Sequence, residues 1–143
     1  MSDEFPNRVG KTNGKAQSYR DLLVWQKSMA LTKAIYKITA KFPSEEKFGL
    51  ISQMRRAAVS VPSNIAEGQA RHTTREFILF ISHAEGSLAE LDTQLILAAE
   101  LGFLTSGETK PCADSIEELR RMLNGLRRVV GGQKKPATPN NRV

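Results

Sequence analysis

The chain has a single cysteine, Cys112, in 143 residues. One thiol cannot form an internal disulfide, so packing alone must hold the fold. Aromatic residues are scarce: six Phe, two Tyr and one Trp. No run of 18 apolar residues occurs, which excludes a membrane-spanning helix. The opening Met1-Ser2-Asp3-Glu4-Phe5-Pro6 lacks the basic and then apolar segments of a signal peptide, and the cytoplasm is the expected location. The only imidazoles are His72 and His83. Neither has the i,i+4 partner of a zinc-binding helix, and no Glu-x-x-His pair of a di-iron bundle is present. No metal or cofactor is expected. A glycine-rich phosphate loop and a nucleophile triad order are also missing. Cys112 follows Pro111 in what reads as a loop, with Lys110 as its only nearby cation; a bystander thiol is expected. These absences predict no catalytic residues and no enzyme.

What the chain does have is helical periodicity. A first helix starts at Asp21 as N-cap and stops before Pro43. It carries one apolar stripe of Val24, Leu31, Ile35, Ile38 and Phe42. A second, roughly opposite, consists of Leu22, Trp25, Met29 and Tyr36. Two stripes on one helix imply burial on two sides, and the second side reads as a subunit interface. The alternative is that Trp25 folds back under the N-terminal segment. A second helix is expected from about Ser44, with Glu45 and Glu46 favoured by the dipole of its first turn, to about Ala70. Thr73-x-x-Glu76 reads as a capping box for a third helix. Its core stripe is Phe77, Ile81, Ala84, Leu88, Leu91, Leu95 and Ala98, and Gly102 ends it. A fourth helix is placed by Ile116, Leu119, Leu123, Leu126 and Val130, and ends at Gly131. No strand alternation appears. The predicted fold is all-α: an antiparallel up-down-up-down four-helix bundle over residues 19–131. Flexible tails are expected at 1–18 and 132–143, the latter basic.

The second helix holds the most informative segment, Arg55-Arg56-Ala57-Ala58-Val59-Ser60-Val61-Pro62-Ser63-Asn64-Ile65-Ala66-Glu67-Gly68. At 100° per residue Leu50, Met54, Ala57, Ala58, Val61, Ile65 and Gly68 share one side. That register survives Pro62, so one long, kinked helix is expected instead of two. Beside it runs a polar stripe of Gln53, Arg56, Ser60, Asn64, Glu67 and Arg71. Two readings stay open. In one, Ser60, Ser63, Asn64 or water satisfies the backbone around Pro62, and Glu67 pairs with Arg71. In the other, the stripe is a binding surface.

The net charge is +6, but it is unevenly distributed. Residues 21–75 hold nine basic and four acidic groups, while residues 76–118 hold one basic and nine acidic. Residues 119–133 add four arginines. This separation suits contacts between complementary faces. On the fourth helix Arg120, Arg121, Arg127 and Arg128 lie opposite the core stripe, and Lys134 and Lys135 extend them. Such a stripe can track phosphates, although aromatics for base stacking are missing. An ordinary solvated face near a helix C-terminus is the competing reading.

The motifs Asp21-Leu22-x-Val24-Trp25-Gln26-Lys27, Phe42-Pro43, Gln53-x-x-Arg56-Ala57, Ser60 to Gly68, and Gly86-Ser87-Leu88-x-Glu90-Leu91 occur in order. They resemble the bacterial four-helix-bundle family labelled 23S ribosomal RNA intervening sequence protein, from about Tyr19 to about Val130. The resemblance implies a ring-like homopentamer. It also implies distant kinship to accessory proteins of diversity-generating retroelements, which bind nucleic acid and a reverse transcriptase. It implies no catalytic residues. The expected function is a non-enzymatic oligomeric scaffold that engages RNA, DNA or a nucleic-acid enzyme. The alternative is a structural or protein-interaction module without nucleic-acid binding.

Overall fold

The computed structural model describes residues 18–132. The terminal segments expected to be flexible lie outside the described residues, apart from Ser18 and Gly132. Four helices make up the fold: α1 (Leu23–Thr39), α2 (Leu50–Gln69), α3 (Thr74–Glu100) and α4 (Ser106–Val130). Short 3-10 turns at Tyr19–Asp21 and Ser44–Glu46 precede α1 and α2. Each helix packs on its chain neighbours, and α1 closes the square against α4. Side-chain pairs fix the directions. Thr32 and Thr39 of α1 meet Ala58 and Arg55 of α2. Ser60 and Gly68 of α2 meet Ser87 and Phe77 of α3, Glu85 and Ile78 of α3 meet Arg127 and Gly131 at the end of α4, and Lys27 of α1 and Lys41 just past it meet Glu118 and Glu108 of α4. All four seams are therefore antiparallel, as short connections require. The core along the square's axis includes Ile35, Met54, Ile65, Ile81, Leu88, Leu95, Ile116 and Leu123.

The helix starts differ from expectation in three places. Asp21 does not cap α1. It belongs to the Tyr19–Asp21 turn, and Leu22 occupies the cap position without a side-chain bond. The segment from Ser44 forms only a 3-10 turn, and α2 begins at Leu50. Glu46 still serves α2, because its Oε1 accepts the Leu50 N–H at 3.0 Å. The Pro111–Cys112 pair is not in a loop. A capping box between Thr105 and Glu108 starts α4 upstream, so both residues lie within the helix. Cys112 is buried there, and burial pushes its thiol pKa up, which leaves it a poor nucleophile.

The same cap has a pH signature. Glu108 takes a hydrogen bond and ion pair from Lys41 and accepts the Thr105 N–H at 2.9 Å. The lysine first, and that backbone bond second, lower the carboxyl pKa from 4.5 to about 2. A depressed folded-state pKa stabilises the fold above the unfolded value and loses that contribution as pH falls. The cap is therefore expected to hold above 4.5 and to fail on the way down to about 2. A carbon-13 titration of the Glu108 carboxyl checks it: the midpoint should lie near 2 and move up in Lys41→Ala.

The second apolar stripe of α1 is not an exposed face at Trp25. Trp25 is only 7% exposed and belongs to the core. The Tyr19 ring covers it edge-on, with centroids 5.3 Å apart. Leu22 and Met29 are half-buried against the same core. Of the four stripe residues only Tyr36, at 43%, stays exposed. The physical reason is the Tyr19–Asp21 turn, which folds against α1 and α2 and seals the upper part of the stripe.

α2 continues through Pro62 without a break. A proline leaves the carbonyl four residues earlier without its helical donor. That carbonyl is Ala58 O, and Thr32 of α1 fills the vacancy. Its hydroxyl proton is shared between Ser28 O at 2.8 Å and Ala58 O at 3.0 Å. The donor comes from a neighbouring helix, not from Ser60, Ser63 or Asn64.

Where α2 turns into α3 the backbones approach closely. A Cβ on Gly68 would sit 2.8 Å from the Phe77 ring and 2.9 Å from Phe80 Cβ. Gly68→Ala should gain about 1 kcal/mol of helix propensity but cost about 1–3 kcal/mol of overpacking. The expected net loss of about 1 kcal/mol follows from those two terms, and chemical denaturation measures it.

Candidate nucleic-acid interface

One half of the bundle gathers the start of α1, the end of α2, the start of α3 and the end of α4. Arginines concentrate there: Arg20, Arg71, Arg75, Arg120, Arg121, Arg127 and Arg128. Their commitments differ. Arg127 reaches across the α3–α4 seam, pairs with Glu85 and donates to Ser82 Oγ at 3.2 Å. Arg121 lies 3.8 Å from Glu117 in a loose i,i+4 pair. Arg71 is 3.7 Å from Glu67 and stacks over the Phe80 ring at 4.7 Å. Among the described residues, Arg75, Arg120 and Arg128 have no carboxylate within ion-pair distance. Arg120, Arg121 and Asn124 share a shallow groove of about 370 Å³ with Glu85. Lys134 and Lys135 lie outside the described residues.

Residues 120, 124 and 127 recur at i,i+4,i+7 and share a face of α4, and Glu85 of α3 pairs with Arg127 of that face. Arg127 is therefore a structural clamp, and the positive charge without an ion pair among the described residues resides on Arg75, Arg120 and Arg128. Arg55 does not join this field. Its Nε donates to Thr39 Oγ1 at 2.9 Å and its NH2 group to Tyr36 O at 3.1 Å. It closes the C-terminal end of α1, where unsatisfied carbonyls attract a cation.

The polar stripe of α2 divides in the same way. Asn64 Nδ2 donates to Ser60 Oγ at 2.9 Å, Ser60 and Ser87 hydroxyls lie 2.7 Å apart, and Ser87 donates to His83 O at 3.2 Å. This chain of bonds stitches α2 to α3. Gln53, Arg56, Glu67 and Arg71 are exposed, and Arg56 borders a groove of about 480 Å³ with Tyr36, Ser52, Arg55, Val59 and Ser60. Among the described residues no three His, Cys, Asp or Glu side chains converge as a metal site. No helix among them is long and apolar enough to cross a membrane. Sequence reasoning missed Thr32, Tyr19 and Glu85. Their partners lie on other elements; the advance signal was a hydroxyl or carboxylate on a bundle helix for Thr32 and Glu85, and an aromatic just ahead of α1 for Tyr19.

Comparison with known proteins adds the lineage. The profile of the 23S rRNA-intervening sequence protein family matches residues 20–125. A crystal structure of a protein of unknown function from the S23 ribosomal protein family of Bacteroides thetaiotaomicron VPI-5482 has the same fold, with a TM-score of 0.67. The two are 22% identical, and the match covers 74% of this chain and 99% of that one. No curated protein matches the chain.

Proposed function

This chain belongs to the 23S rRNA-intervening sequence protein family, and from the placement of its arginines we propose a non-catalytic, oligomeric scaffold that binds structured nucleic acid. The observation that carries the reading is the set Arg75, Arg120 and Arg128, which crowd one half of the bundle without carboxylate partners. Guanidinium groups free of internal ion pairs are available to phosphates, and each neutralised phosphate releases counterions. Among the described residues the aromatic rings of this half are engaged inside the chain, Tyr19 against Trp25 and Phe80 under Arg71, which favours recognition through the backbone of a duplex over stacked bases. The cytoplasm is the proposed location.

The test is a binding titration with structured RNA and duplex DNA at several salt concentrations. Affinity should fall steeply with salt. Arg120→Ala with Arg128→Ala should flatten the log–log slope by about two units, one per lost phosphate contact. Arg127→Ala alone should act mainly on stability, since it strands Glu85. Salt-independent or absent binding at low ionic strength refutes the proposal and leaves a protein-interaction module.

A further inference from the structure

The shallow groove of about 370 Å³ between α3 and α4 holds a group that a plain phosphate track does not need. Arg120, Arg121 and Asn124 of α4 line it, and Glu85 of α3 lines it with them. Phosphodiester groups offer acceptors and no donor, so arginines suit them and a carboxylate opposes them. Glu85 is held there all the same. Its Oε1 pairs with Arg127, which also donates to Ser82 Oγ at 3.2 Å. That pair fixes the carboxylate and offsets its charge, but it occupies one oxygen only. Among the described residues Glu85 Oε2 takes no hydrogen bond, and the Asn124 side chain makes none.

The order of groups along the groove says what fits them. Arg121, Asn124 and Arg128 follow i,i+3,i+7 spacing, so the two arginines stand roughly 10 Å apart along the α4 axis with the amide between them. Arg121 keeps only a loose 3.8 Å pair with Glu117, and Arg120 lies beside it. Glu85 adds its free oxygen near the middle, since it lines the groove with Asn124 and pairs with Arg127. Cation, acceptor, cation is the complement of phosphate, ribose, phosphate. Within a strand, the backbone group that can donate a hydrogen bond is the 2′-hydroxyl of RNA, and DNA lacks it. A-form duplexes display these hydroxyls in a wide, shallow minor groove, where side chains on a bundle face reach them. We infer that Glu85 Oε2 and the Asn124 amide bond ribose 2′-hydroxyls while Arg120, Arg121 and Arg128 hold the flanking phosphates, so that the α3–α4 groove selects RNA over DNA. This selectivity presupposes the nucleic-acid scaffold proposed above and names the backbone that it reads.

Binding titrations with three duplexes of one sequence test it: RNA, RNA with 2′-fluoro in place of every 2′-hydroxyl, and DNA. The fluoro duplex keeps the A-form and every phosphate but has no ribose donor. Wild-type protein should bind RNA about tenfold more tightly than the fluoro duplex, the size of one hydrogen bond to a charged group. Glu85→Ala should cut that ratio to about twofold, and Glu85→Gln, which keeps an acceptor without the charge, should give an intermediate ratio. Asn124→Ala, which breaks no ion pair, should lower the ratio as well. Arg120→Ala should weaken binding to all three duplexes and leave the ratio in place. Circular dichroism checks the fold of each variant; if Glu85→Ala unfolds, Glu85→Gln and Asn124→Ala decide. Equal, salt-dependent affinity of the wild type for the RNA and fluoro duplexes overturns the selectivity while the scaffold stands. A wild-type ratio that persists in the folded Glu85 and Asn124 variants overturns the assignment to this groove. Absence of binding to all three duplexes overturns the scaffold and the selectivity together.

Discussion

Trp25→Asp is expected to unfold the protein, not to dissociate an otherwise intact assembly. Trp25 is 7% exposed within a single chain, beneath the Tyr19 ring and against the half-buried Leu22 and Met29. Truncating a buried Trp to alanine removes about 3–5 kcal/mol, and a carboxylate in the same place adds a desolvation cost. Total stability of a small domain is about 5–15 kcal/mol, so the loss is a large fraction of the whole. A thermal melt followed by far-ultraviolet circular dichroism reads the outcome. Retention of the wild-type melting temperature with a lower oligomer mass would return Trp25 to a subunit interface.

Thr32→Val is the second large effect, expected at about 1–3 kcal/mol despite near-identical shape, because a buried carbonyl loses its donor. Ala58 is 1% exposed, and Pro62 cannot supply the N–H that its carbonyl would otherwise receive. The two sites should therefore be coupled. In a Pro62→Ala background the helix regains its own N–H, and Thr32→Val should cost much less. A double-mutant cycle by denaturant unfolding should give a coupling energy of about 1–2 kcal/mol. Additive single effects would mean that Thr32 does not stand in for the missing bond.

These two sites also mark the boundary of what could be read in advance. The stripe from Ile81 to Ala98 is buried as its spacing predicts, and Phe77 at its start is half-buried against the core, because periodicity along one helix reports directly which side faces the core. The Thr73 cap and the stop at Gly102, where φ is +84°, were likewise legible from local chemistry, although the expected box is only half made: Thr73 Oγ1 accepts the Glu76 N–H, and the Glu76 carboxylate accepts the Thr73 hydroxyl. The wheel shows only where Trp25 points; what covers it is a 3-10 turn that precedes the periodic pattern. Pro111 reads as a loop residue until Thr105 and Glu108 are seen as a capping box upstream of it. The arginines of α4 look alike in sequence. Only the facing helix separates Arg127, held by Glu85, from Arg120, which has no carboxylate within ion-pair distance among the described residues.

The square of helices has a kinetic consequence. Three of its four seams join helices adjacent in the chain, and only the α1–α4 seam joins the first helix to the last. Contacts between sequential elements close small loops and lose little chain entropy, whereas the α1–α4 seam must close nearly the whole domain. The α2–α3 hairpin, the most extensive contact, is thus suited to nucleate folding, and α1 and α4 meet last. In a chevron, Gly68→Ala, within the hairpin, should slow refolding. Lys27→Ala, which removes the 2.9 Å pair with Glu118, should chiefly speed unfolding.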